Sequence, residues 1–146
     1  MKGPVEYSVV MVLDEVSEFS GYLFDLHQHL SRMSCSHELI LVFNGPNERA
    51  RERLAAEWPN DGPKVMLVEL SRKTYSGTGL QTLLDDCRGE KLIICGPYRQ
   101  VADEGLSQMM NVVSSGEADL ALPWRQKRVD PAVNQFQSRL FNKLVQ

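Results

Sequence analysis

The chain alternates between short apolar runs and stretches in which apolar residues recur every three or four positions. "YSVVMVL" (7–13), "ELILVFN" (38–44), "KVMLVEL" (64–70) and "KLIIC" (91–95) are runs of strand length, and "ADLALPW" (118–124) closes the series. A strand without polar alternates belongs in a sheet covered on both faces, because neither row of its side chains meets water. Between the runs, Phe19, Tyr22, Leu23, Leu26 and Leu30 mark one helix face. Ala50, Leu54 and Trp58 mark another on the charged segment 47–58. Helices are also predicted over Gly79–Cys87 and Asp103–Ser114. Pro131 suits the first turn of a last helix, with Val133, Phe136, Leu140, Phe141 and Leu144 on one side. Asn44-Gly45-Pro46, "PNDGP" (59–63) and Gly96-Pro97 punctuate the pattern as turns.

Strand and helix in repeated alternation predict one three-layer α/β domain over residues 1–146, with a mostly parallel sheet and helices on both faces. The strands are expected near 7–13, 38–44, 64–70, 91–95 and 118–123. Ligands of such sheets gather beyond the carboxyl ends of the strands. The residues delivered there are Asp14 and Glu15, Asn44, Arg72 and Lys73, Tyr98 and Arg99, and Arg125, from the first to the fifth strand. Together they form the candidate site.

Composition sharpens this picture in two ways. Residues 125–146 hold five basic side chains (Arg125, Lys127, Arg128, Arg139, Lys143) against Asp130 alone, whereas the first 124 residues hold 11 basic and 18 acidic ones. A basic end on an acidic body favours an anionic partner there, phosphate groups or a membrane surface, or else a solvated helix face. No partner among nucleic acids is expected. The apolar stripe of residues 131–146 suits self-association or a protein partner. Secondly, Cys35, Cys87 and Cys95 form no C-x-x-C, which fits a reduced, cytoplasmic chain in which cysteines act as small hydrophobes. No run approaches the roughly 18–20 apolar residues that span a bilayer, and the N-terminus lacks the form of a signal peptide.

The chemistry-bearing motifs are sparse. "YSGTG" (75–79) places glycines before a helix, as a phosphate cradle would, but it matches neither established glycine fingerprint and better fits a plain helix start. His27 and His29 are two apart on a helix and point to different sides, unlike an i, i+4 chelating pair. Asp85-Asp86 and Asp103-Glu104 suit helix termini or surface charge. No metal and no cofactor are expected.

In order along the chain, "YSVVMVLDE", "HELILVFNGPNERARERL", "VELSRKTYSGTGLQTLLDDCRGEKLIIC" and "ADLALPWRQKRVDPAVNQFQSRLFNKLV" resemble successive segments of the family 2 glycosyltransferases. The likeness is to the polyprenol- and dolichol-phosphate sugar transferases, of the nucleotide-diphospho-sugar transferase (GT-A) fold. The last segment is the most similar, with Arg125, Ser138-Arg139 and Asn142 in the family's order and spacing. The resemblance implies a cleft for a nucleotide-diphosphate sugar. It also implies an Asp-x-Asp after the fourth strand, whose carboxylates hold a divalent metal on the diphosphate. Here Gly96, Pro97 and Tyr98 fall in that place, and none is a good ligand for a hard cation. Phe43-Asn44 replaces the paired aspartates after the second strand, while Asp14-Glu15 keeps an acidic character. Arg72, Lys73, Arg99 and Arg125 carry charge that can substitute for a metal's. Two functions follow as expectations. One is sugar transfer without the usual metal motif; the other is a catalytically degenerate, pseudoenzyme domain kept for binding or assembly. A plain nucleotide-binding α/β module fits the strands but not "SRLFNKLV".

Overall fold

A computed structural model describes residues 4–13, 20–74, 80–81 and 83–123. Within it β1 spans Tyr7–Leu13, β2 His37–Phe43, β3 Val65–Glu69 and β4 Lys91–Cys95. The helices are α1 (Ser20–Arg32), α2 (Glu48–Glu57) and α3 (Asp103–Ser114). The chain divides into two compact units, Met1–Gln100 and Val101–Gln146. The sheet lies in the first.

All four strands are parallel, in the order β3-β2-β1-β4. The two central strands carry the apolar sequence expected of them. Val9, Val10 and Met11 of β1, with Leu39 to Phe43 of β2, have almost no exposed surface. The outer strands are only partly covered: Leu92 and Ile94 of β4 are 40% and 54% exposed.

The chain steps from β1 to β2 to β3 in one direction, then returns across β1 to β4. Right-handed crossovers therefore set α1 and α2 on one face and the β3–β4 connection on the other. Two packing groups agree with this. Phe24 of α1 meets Trp58, at the end of α2, edge to face at 5.9 Å. On the opposite face Val10, Ile40 and Val42 cluster with Leu83, flanked by Leu80 and Cys87. This is the three-layer α/β architecture.

Local signals set the helix ends. In α1, Leu23, Leu26 and Leu30 are its buried residues, at three- and four-residue spacing. The helix stops where Ser34 takes a positive φ of 58° and the Cys35 N–H returns to the Leu30 carbonyl at 3.1 Å. The Asn47 side chain caps α2 by accepting from the Ala50 N–H at 3.0 Å.

One expectation is corrected. Residues 118–123 form no strand: Leu120 and Leu122 are 70% and 75% exposed, and among the described residues nothing pairs with them. An apolar run becomes a strand only where a neighbour takes its backbone hydrogen bonds. The helix expected over Gly79–Cys87 is present at Leu80, Gln81 and Leu83 and continues as a 3-10 turn at Leu84–Asp86. The expected helix from Pro131, and Tyr75 to Gly79, lie outside the described residues.

Candidate functional site

Leu13, Phe43 and Glu69 stand side by side in register, so β1, β2 and β3 end together at one edge of the sheet. Cys95 of β4 pairs two residues earlier, with Met11. At this edge the backbone knits together: the Asn44 N–H donates to the Leu13 carbonyl at 2.9 Å, and the Leu70 N–H to that of Phe43 at 3.0 Å.

Asn44 is buried, and its side chain fastens the loop after β3. Its amide nitrogen donates to the Thr74 carbonyl at 2.7 Å, while Oδ1 accepts from the Thr74 N–H at 2.9 Å. The next residue, Gly45, has φ +108°, and a Cβ there would lie 3.2 Å from the Lys73 nitrogen. Both the left-handed backbone and the close approach require glycine. The β3 loop thus folds back over the end of β2 and carries exposed Arg72 and Lys73 with it.

On the other side of β1, β4 ends and the chain bends through Gly96-Pro97. Tyr98 is 61% exposed. Arg99 reaches α1, where its guanidinium lies 3.1 Å from the Asp25 carboxylate and 5.8 Å from the centre of the Tyr22 ring. Lys73, against Gly45 after β2, and Arg99, beyond β4, thus follow strands on either side of β1. Between β1 and β4 the strand order reverses, and ligands bind at such switch points.

Asn44, Arg72, Lys73, Tyr98 and Arg99 thus share one edge of the sheet. Asp14, Glu15 and Arg125 lie outside the described residues. Asp103 and Glu104 occupy the first turn of α3, in the second compact unit. Among the described residues no three His, Cys, Asp or Glu side chains gather as a metal site would require. The carboxylate pair that the family resemblance implies at the end of β4 has no counterpart in Gly96-Pro97-Tyr98.

The structure also joins residues that the sequence kept apart. His27 Nδ1 lies 2.8 Å from His37 Nε2, and His37 Nδ1 lies 2.8 Å from the Cys35 carbonyl. A carbonyl only accepts, so His37 carries its proton on Nδ1 and Nε2 accepts from His27. Burial, and then the neighbouring His37, hold the His27 pKa below its ordinary value. This pair stands at the amino end of β2, beside a cavity of about 420 Å³ lined by Phe24, His27, Gln28 and Asp61. His37 begins β2 and so stands at the opposite end of that strand from its exit. Cys35, Cys87 and Cys95 are all free thiols, and burial pushes that of Cys95 up to about 12. Among the described residues no helix is long and apolar enough to cross a membrane.

The four-stranded parallel sheet with its reversal of strand order between β1 and β4 is that of an open α/β domain. No protein-family model matches the chain. It is 26% identical over 138 residues to an undecaprenyl-phosphate 4-deoxy-4-formamido-L-arabinose transferase from Pseudomonas fluorescens (strain SBW25). That match covers 94% of this chain but 40% of the relative's length. A distant relative is therefore a glycosyltransferase, and the parallel sheet fits a GT-A-like fold.

Proposed function

We propose that the chain is a glycosyltransferase-type domain that binds a nucleotide-diphosphate sugar at the carboxyl edge of its sheet. Arg72, Lys73 and Arg99, joined by Arg125, supply the charge that a divalent metal supplies elsewhere. The observation that carries this reading is that exposed Arg72 and Lys73 follow β3 and Arg99 follows β4 at one edge of the sheet, while the β4 exit holds no carboxylate. Guanidinium groups bind phosphate oxygens through two parallel N–H bonds and need no metal to do so. Asp14 and Glu15 follow β1 directly and are assigned to the sugar-nucleotide side of the same cleft, with Tyr98 at its rim.

Asn44 favours the second reading, a domain that binds without turnover. Its amide is occupied by the Thr74 backbone, so it serves to position the loop bearing Lys73. The deciding experiment titrates the protein with a panel of nucleotides and nucleotide sugars, with and without Mn²⁺, and then assays sugar release. Micromolar binding that is indifferent to Mn²⁺, with release of the nucleotide diphosphate, establishes a metal-independent transferase. Binding without release establishes the binding module, and absence of binding refutes both.

A further inference from the structure

We propose that Asp25 sets the phosphate affinity of this cleft by holding Arg99 in reserve, an inference that rests on the nucleotide-sugar reading above. Arg99 lies four residues beyond the end of β4, and its partners Tyr22 and Asp25 belong to the first two turns of α1. β4 and β1 are neighbours, and α1 is the helix that follows β1. The Arg99–Asp25 pair therefore bridges the two elements between which the crevice opens.

Each contact has a separate effect. The Tyr22 ring lies 5.8 Å from the guanidinium carbon, within the range at which arginine stacks on an aromatic face, and so fixes where the guanidinium can sit. The Asp25 carboxylate accepts from the Arg99 guanidinium at 3.1 Å and neutralises its charge while the cleft is empty. Both side chains are about half exposed, at 45% and 57%. A pair so well solvated is held weakly and is readily exchanged. A phosphate offers more negative charge and the same two-pronged geometry, so it displaces the carboxylate from the guanidinium. The displaced Asp25 stays within a few ångströms of the bound anion and opposes it through solvent. Asp25 is thereby a competitor built into the first helix, and its removal strengthens the site.

The probe is inorganic pyrophosphate, titrated calorimetrically at low ionic strength without divalent metal. Wild type is compared with Asp25→Asn, Arg99→Gln and the double variant, each checked for an unchanged thermal midpoint. Asp25→Asn is expected to tighten binding about three- to tenfold and Arg99→Gln to weaken it by a similar factor. In the double variant the gain disappears. A gain that survives in the Arg99→Gln background is a general charge effect and overturns the assignment. So does an Asp25→Asn affinity equal to or below wild type. If pyrophosphate and nucleotide sugars bind wild type in either case, the cleft reading stands without the Asp25 device. If none of them binds any variant, both fall together.

Discussion

Asn44 and Thr74 are joined in both directions across 30 residues of sequence, the amide of one taking the place of a strand's backbone against the other. Truncation to Asn44→Ala removes both of these bonds to Thr74 at a partly buried position. The expected cost is about 2–3 kcal/mol, read as a lower urea midpoint with an unchanged slope. Asn44→Asp keeps the bond from the Thr74 N–H but faces its carbonyl with an oxygen, and is expected to cost nearly as much. If Asn44→Asp is neutral, the amide is not what anchors the loop.

That bond shows where the sequence stopped being legible. The apolar runs of β1 and β2 announced a parallel sheet because both of their faces are buried, and Leu23, Leu26 and Leu30 announced α1 by their spacing. The order β3-β2-β1-β4 then brings residues together by topology, which periodicity does not record. His27 and His37 sit on different elements, with different periods, and Arg99 meets Asp25 across 74 positions. The strand expected over 118–123 failed for a related reason. Its apolar run reads as strand-like, but pairing depends on a partner that local sequence does not specify.

The His27–His37 contact makes stability depend on pH. The His27 pKa is lowered in the folded protein, first by burial and then by the neighbouring imidazole. The unfolded chain therefore takes up this proton first as pH falls below about 6.5. The contribution is complete above that value and is lost as pH drops through the folded pKa. Thermal midpoints measured between pH 8 and 5 should fall in this window for wild type and fall less for His27→Gln. A profile unchanged by the substitution would exclude this pair as the source.

Two glycines separate local preference from packing. Gly21 lies in the first turn of α1 with nothing within 4 Å of an added Cβ, so Gly21→Ala should stabilise the protein by about 0.5–1 kcal/mol. At Gly89 a Cβ would stand 2.3 Å from the Ser8 backbone nitrogen, and the Gly89 N–H bonds the Ser8 hydroxyl at 2.9 Å. The same hydroxyl donates to Glu38 at 2.6 Å, and Glu38 also accepts from the Arg88 guanidinium. Burial alone would raise the Glu38 pKa, but the bonds from Ser8 and Arg88 outweigh it and lower it. Gly89→Ala must therefore push apart β1 and the segment before β4, and a loss of about 3 kcal/mol or more is expected. Denaturant melts of the two variants should move in opposite directions.

The last prediction restores what the β4 exit lacks. A Cβ on Gly96 would meet only the Gln100 amide nitrogen at 3.7 Å, an ordinary contact, and Tyr98 is well exposed. Gly96→Asp with Tyr98→Asp should therefore fold, placing two carboxylates two residues apart at the end of β4. Oxygen ligands of this kind suit Mg²⁺ and Mn²⁺. On the proposed reading, in which Arg72, Lys73 and Arg99 meet the phosphate charge, wild-type nucleotide affinity should change less than about twofold on adding Mn²⁺. In the double variant the added negative charge should weaken metal-free binding, and Mn²⁺ should recover it by about tenfold or more, with the bound ion visible as a loss of free Mn²⁺ signal in electron paramagnetic resonance. A strong Mn²⁺ gain already present in wild type and abolished by Asp103→Ala would place a carboxylate site elsewhere in the chain. The arginines would then not be standing in for the metal.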